Sequence, residues 1–319
     1  MNPRNLRTFP GLVVVGLLTI AAAGCSSTNS SSSSSSPTVV VTTSILGDIV
    51  ENVVGEEAEV TVLMPAGVDP HEFELSAAQA AEMQEADVIV ANGLGFEAGM
   101  TDALDAAEEA GVPRYEVAPD VDPLPLAEGS EEHAEDTSGL DPHVFTDPER
   151  MAQATENIAA ALGDEVPDLD TDAVREQANA YAAEVRAADA TIEDELSVIP
   201  EDQRVLVTNH EVFSYFADRY GFEVVGTVIP SGTTLAEPSS QELSDLADTI
   251  REYGVPAIFA DASSPTELAE ALADESGLDV EVVALYSESL GGPGSGAETY
   301  LEMITSNGEA IATALSGSS

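Results

Sequence analysis

The chain has 319 residues, 43% of them hydrophobic, enough for two ordinary domains with a substantial core, and this excludes a wholly disordered chain. Aromatic residues make up only 5% and Trp is absent, so a core of Ala, Val, Leu and Ile is expected. Sixty acidic residues stand against nine basic ones, all Arg, for a net charge of −51; such a field repels nucleic acid and anionic lipid and argues against any binder of phosphate backbones.

The acids are spread over the whole chain, so they read as a solvated surface rather than a metal-binding tract. That surface suits high salt, where screening makes it tolerable. A melting series from low to molar salt tests this, and higher stability at low salt would sink it.

At the N-terminus, Arg4 and Arg7 precede an apolar run from Leu12 to Ala23. A positive segment followed by an apolar run of this length is a signal peptide, and the run falls short of the ~20 apolar residues of a transmembrane helix. Ala22-Ala23-Gly24-Cys25 resembles the lipobox of bacterial lipoproteins, in which the Cys becomes the first mature residue and carries lipid. The plainer alternative is ordinary signal cleavage that leaves a free thiol. Cys25 is the only cysteine, so neither an internal disulfide nor a Cys-based zinc site is possible. Ser26 to Ser36, nearly all Ser, has nothing to bury and reads as a flexible tether. The expectation is a signal peptide over 1–24, a lipid-anchored tether over 25–36, and a folded body on the outer face of the cell membrane.

From Pro37 onward, short β-branched runs alternate with Ala-rich helical stretches. Strands are expected at Pro37–Thr43, Ala58–Met64, Ala86–Ala91 and Val112–Val117, with helices near Ile45–Val54, Ser76–Glu85 and Glu97–Ala110. A second set follows, with strands at Arg204–Thr208, Phe222–Ile229, Val255–Ala260 and Val280–Leu285 and helices at Ser214–Tyr220, Ser239–Tyr253, Pro265–Asp274 and Glu298–Leu315. Such alternation implies parallel α/β sheets. Between the sets, Thr171–Leu196 has no Gly or Pro, with Thr171 placed to cap it and Pro200 just beyond; as a helix it spans ~39 Å. The fold class is therefore α/β: an N-terminal lobe (37–170), a long connecting helix (171–198) and a C-terminal lobe (199–319), each lobe with a parallel sheet flanked by helices. The lobes also repeat weakly: Leu63-Met64-Pro65-Ala66-Gly67 leads to Gln79, a helix and a strand, as Val228-Ile229-Pro230-Ser231-Gly232 leads to Gln241, a helix and a strand. A cleft between two such lobes is a favoured ligand position.

There are four histidines. His71 and His143 sit in the same tripeptide, Asp69-Pro70-His71 and Asp141-Pro142-His143, and His210 directly follows a strand, where α/β folds place binding groups. Neutral imidazole is the commonest side-chain ligand for zinc and serves other divalent metals. Taken singly, each is also compatible with a solvated loop residue. The spacing shows no local metal motif, so a site would have to form in three dimensions.

Four segments carry a resemblance: Val68-Asp69-Pro70-His71-Glu72-Phe73-Glu74, Leu140-Asp141-Pro142-His143-Val144-Phe145-Thr146-Asp147-Pro148, Thr208-Asn209-His210-Glu211-Val212-Phe213-Ser214-Tyr215-Phe216, and Leu285-Tyr286-Ser287-Glu288-Ser289-Leu290-Gly291-Gly292-Pro293-Gly294-Ser295-Gly296. In this order they resemble the signature blocks of the zinc/manganese solute-binding proteins of ABC importers, over Pro37 to the C-terminus. The resemblance implies a metal held by His71, His143, His210 and Glu288, two residues from each lobe. It also implies a long connecting helix that limits hinge motion, a permease and an ATPase as partners, and a monomer that is not an enzyme. Glu288 stands where the family usually has Asp; Glu237 and Asp261, in C-lobe loops, are the reserves. Three nitrogens and one carboxylate suit tetrahedral Zn²⁺, and related manganese binders more often replace the third His with a carboxylate, so Zn²⁺ is expected before Mn²⁺. His133 lies in an acidic loop where zinc-type relatives often carry a His-rich one, and is either a weak metal collector or simply solvated. The rival readings are a zinc-dependent hydrolase, which a fourth protein ligand opposes by closing the site, a surface adhesin or structural lipoprotein, and a binder of metal chelates.

Overall fold

The computed structural model describes residues 36–126, 139–167 and 169–317. The first lobe contains β1 (Thr38–Val41), α1 (Ser44–Val54), β2 (Glu59–Val62), α2 (Ala77–Glu85), β3 (Val88–Ala91), α3 (Thr101–Glu109) and β4 (Arg114–Glu116). Two longer helices follow, α4 (Pro148–Glu165) and α5 (Thr171–Leu196). The second lobe contains β5 (Val205–Thr208), α6 (Ser214–Tyr220), β6 (Glu223–Thr227), α7 (Ser240–Tyr253), β7 (Ala257–Asp261), α8 (Glu267–Ser276), β8 (Glu281–Leu285) and α9 (Tyr300–Ser316). No helix among the described residues is long and apolar enough to cross a membrane.

Both sheets are parallel and share one order, β2-β1-β3-β4 and β6-β5-β7-β8. The central strands β3 (Val-Ile-Val-Ala) and β7 (Ala-Ile-Phe-Ala-Asp) are buried throughout, as strands covered by helices on both faces must be. Successive side chains divide between two cores. Val88 and Val90 join a large shared core while Ile89 and Ala91 join one private to the first lobe; Ala257 and Phe259 join the shared core while Ile258 and Ala260 join one private to the second. In each sheet the chain leaves β1 or β5 towards one edge and then crosses to the other side, so the switch point lies at the C-terminal ends of β1 and β3, and of β5 and β7.

The shared core is built around α5, which packs on α1 and α4 of one lobe and on α9 of the other. It buries Val174, Ala178, Tyr181, Ala182, Val185, Ile192 and Leu196, a stripe at helical spacing. The expected helix thus holds over Thr171–Leu196, but its cap is Asp170, whose carboxylate accepts from the Asp172 and Ala173 amides, rather than Thr171. Helix α4 was not foreseen. Asp147 caps it by accepting from the Glu149 and Arg150 amides, Pro148 occupies its first turn, and its buried face lies along α5. The helix expected from Glu97 begins instead with a 3-10 turn at Ala98–Met100. A Cβ on Gly99 would lie 2.4 Å from the Phe73 carbonyl oxygen, so a glycine there lets the loop that carries His71 pack against this turn.

All but one of the described arginines bridge neighbouring elements, the exception being Arg175, which pairs within its own helix. Arg186 of α5 pairs with Glu149 and Glu156 of α4, and Arg219 of α6 with Asp189 of α5. Arg150 pairs with Asp147 and lies 5.0 Å over the Tyr215 ring; Arg204 donates to the carbonyls of Leu196, Ile199 and Tyr220. Arg114 faces Asp105, Glu108 and Glu116, Arg175 faces Asp172, and Arg251 pairs with Asp248 and donates to the Glu275 and Ser276 carbonyls.

Candidate metal centre

His71, His143, His210 and Glu288 come together where the lobes meet, all buried, with one potential ligand atom from each lying within 4.8 Å of the others. Each stands on a loop beyond the C-terminal end of a strand: His71 after β2, His143 after β4, His210 after β5 and Glu288 after β8. Among the described residues this is the one group of three or more His, Cys, Asp or Glu that could hold a metal ion.

The local reason for the duplicated tripeptide is an Asx turn. Asp69 Oδ1 accepts from the His71 amide at 2.8 Å, and Asp141 Oδ1 accepts from the His143 amide at 2.9 Å, with a proline fixing the residue between. The two turns then diverge. Asp141 Oδ1 also contacts His143 Nδ1 at 2.7 Å, which fixes the ring and turns Nε2 toward the centre. Asp69 Oδ2 instead accepts from Thr234 Oγ1 of the other lobe at 2.8 Å.

Glu288 Oε1 is the hub. It lies 2.7 Å from His71 Nε2, 3.2 Å from His210 Nε2 and 3.3 Å from His143 Nε2. Burial works to raise the Glu288 pKa, but the rings of His71, His210 and His143 outweigh it and hold the carboxyl well below its usual range. Burial likewise opposes charge on His143, yet Asp141 and Glu288 together raise its pKa from 6.5 to about 9. Glu288 Oε2 and His210 Nδ1 are buried without a hydrogen-bond partner among the described residues. A tetrahedral zinc site with bonds of ~2.0–2.1 Å places its donors ~3.3 Å apart, and the Glu288 Oε1 distances to His210 and His143 are close to that.

The loop that carries Glu288 is fixed on both sides. Asn307 of α9 accepts from the Tyr286 amide at 3.0 Å and donates to its carbonyl at 2.8 Å. Ser287 Oγ donates to Asp261, and the Gly67 amide of the first lobe donates to Ser289 Oγ at 2.8 Å. Asp261 is pushed up by burial and by the Glu288 charge, and its oxygens are engaged by Ser263 and Ser287; it does not join the four. Glu237 is exposed and also stays outside. Cys25 and His133 lie outside the described residues.

Sequence reasoning did not single out the supports of the site. Glu97 is 3% exposed, raised by burial, and accepts from Thr42 Oγ1 at 2.7 Å and the Asn92 amide at 2.6 Å. Asn92 in turn donates to the Pro142 carbonyl at 2.9 Å, tying the end of β3 to the second Asp-Pro-His. Phe96 packs edge-on to His71 and His143, with ring centroids at 5.6 and 5.8 Å. No sequence signal marked Glu97, Asn92 or Phe96; the one support that the sequence marked was the Asp two positions before each of His71 and His143.

Residues 39–314 match the family model described as "Zinc-uptake complex component A periplasmic". The manganese-binding lipoprotein MntA of Halalkalibacterium halodurans is 31% identical over 305 residues, covering 95% of this chain and 97% of its own. The iron-binding protein YfeA of Yersinia pestis is 30% identical, covering 84% and 83%. The solved structure of the periplasmic zinc-binding protein TroA of Treponema pallidum superposes with a TM-score of 0.79 at 30% identity, covering 88% of this chain and 99% of its own.

Proposed function

The chain belongs to the family of periplasmic zinc-uptake complex component A, and from that premise we propose that it is the extracytoplasmic substrate-binding subunit of a metal ABC importer. It captures a divalent cation between its lobes and hands it to a membrane permease driven by an ATPase subunit. The observation that carries this reading is the convergence of His71 and His143 from one lobe with His210 and Glu288 from the other. A cation bound there satisfies all four groups only while the lobes stand together, so binding and closure are one event.

Zinc is the favoured cargo and manganese the next. Three imidazole nitrogens and one carboxylate oxygen match the borderline-soft preference of Zn²⁺, whereas Mn²⁺ prefers more oxygen. The names of the relatives span manganese, iron and zinc, so the donor set carries the choice. The body works as a monomer on the outer face of the membrane, tethered through lipid on Cys25.

The test is metal content and titration of the chelator-stripped protein in high-salt buffer, with Zn²⁺ and Mn²⁺ added separately. One tight zinc equivalent that disappears in His143→Ala supports the reading; no stoichiometric binding of either ion rules it out. For the anchor, Cys25→Ser moves the protein from the membrane fraction to the soluble one, and unchanged partitioning excludes lipidation at that residue.

A further inference from the structure

The loop between β2 and α2, which carries His71, is held to the opposite lobe at two points. The Gly67 amide meets Ser289 Oγ at 2.8 Å and the Leu290 carbonyl at 3.0 Å, on the loop that carries Glu288. Asp69 Oδ2 meets Thr234 Oγ1 at 2.8 Å, on the loop between β6 and α7. This second contact joins the two loops that follow the repeated segments. The segments that begin at Leu63 and Val228 are offset by 165 residues, and Asp69 and Thr234 are separated by the same 165. Because the two sheets share one strand order, these are corresponding loops of the two lobes. Only one of them carries a ligand: at the same offset from His71 stands Ala236. The β6–α7 loop supplies none of the four ligands; it braces the His210 loop through Ile229 and Ser231 and reaches the first lobe through Thr234.

Asp69 reads both sides at once. Its Oδ1 closes the Asx turn on the His71 amide, and its Oδ2 depends on the other lobe. The second Asp-Pro-His is braced differently, since Tyr215 OH donates to the Asp141 carbonyl at 2.5 Å from a wholly buried position, beneath Arg150. Thr234 is only half-buried, and its neighbour Leu235 is 61% exposed. Of the two braces, the one through Thr234 is therefore the first to break when the lobes part and water reaches it.

We propose that Thr234 is a positioning residue for metal retention: its hydroxyl holds Asp69, and through Asp69 the direction of His71, only while the lobes are together. Loss of the hydroxyl speeds release and leaves capture unchanged, because the encounter with metal precedes formation of the contact. The proposal rests on the metal-importer reading. The experiment loads the full chain with Zn²⁺, and separately with Mn²⁺, then follows release into excess chelator and association by stopped flow for wild type, Thr234→Val and Thr234→Ser. For Thr234→Val, release about tenfold faster is expected, the kinetic equivalent of one hydrogen bond, with association within about twofold of wild type and the metal-free melting temperature unchanged. Thr234→Ser, which keeps the hydroxyl, stays within about twofold of wild type in both rates. The proposal is overturned if Thr234→Val releases at the wild-type rate, if Thr234→Ser releases as fast as Thr234→Val, or if association slows as much as release speeds up. A wild-type chain that loads no metal overturns the importer reading and this proposal with it, whereas a loaded wild type with an unaltered Thr234→Val overturns this proposal alone.

Discussion

The two lobes repeat one sheet order and yet furnish the centre unequally. The N-lobe histidines share a local device, in which each closes an Asx turn on the Asp two residues before it, and the His143 ring is fixed by Asp141. On the C-lobe side, His210 keeps Nδ1 and Glu288 keeps Oε2 without hydrogen-bond partners among the described residues, although both are buried. Buried polar atoms left in that condition are costly, and a bound cation offsets the cost at Glu288 directly. The N-lobe side thus has a ring held by a neighbouring carboxylate, whereas the C-lobe side is held through its loops, with His210 Nδ1 and Glu288 Oε2 left unpartnered among the described residues.

Removing a ligand breaks this comparison most sharply. His143→Ala and His210→Ala should both abolish stoichiometric metal binding in titrations. Their metal-free folds should differ, because only His143 compensates buried Asp141 and Glu288 through close contacts on both ring nitrogens. We expect His143→Ala to cost about 3 kcal/mol in metal-free denaturation, as for breaking a buried pair, and His210→Ala clearly less. Equal losses would mean that the two halves are equally prebuilt.

The next largest effect is that of pH. With its pKa raised to about 9, His143 carries a proton in the metal-free protein at neutral pH, and metal must displace it. Affinity should fall roughly 300-fold between pH 7.5 and pH 5 for one displaced proton, while Glu288, held well below its usual range, stays ionised. The linkage to stability has the opposite sense. A folded pKa above the unfolded 6.5 stabilises the metal-free fold fully below pH 6.5, and that contribution is lost as pH rises through about 9. Flat affinity over the acid range, or metal-free melting that rises towards pH 9, would contradict both statements. Asp141→Asn comes next, weakening metal binding by ~10–100-fold through loss of the charge that orients the His143 ring. The smallest effect expected is that of Glu288→Asp, which shortens the hub by one methylene and should cost less than Asp141→Asn; a gain in affinity would show that the loop is seated for the shorter acid.

Much of the fold was legible because its strands are short β-branched runs between Ala-rich helices, and all eight were placed within a few residues. Most of their ends were overextended, since polar residues such as Thr42 and Thr43 leave the strand, the first to donate to Glu97 and the second to cap α1. Helix α4 escaped notice although Asp147 and Pro148 are ordinary start signals, because they directly follow the second Asp-Pro-His and read as part of it. The four clustered residues were legible through family resemblance and not through spacing, since 217 residues separate His71 from Glu288. The cross-lobe supports were not legible at all. A Thr in a loop carries no mark that an Asp 165 residues away will need its hydroxyl.

The placement of the arginines has one more consequence. All seven in the described residues face carboxylates or carbonyls, six of them between elements and Arg175 within its own helix, and lysine does not occur, so few cationic groups are left to temper the outer acids. The folded body therefore sits inside its own cloud of mobile counterions. In a Boltzmann distribution a doubly charged ion is enriched by the square of the factor that enriches a singly charged one, so this cloud sorts ions by valence before any side chain touches them. Added salt thins the cloud, and so trades a denser supply of divalent ions around the protein for relief of its own repulsion.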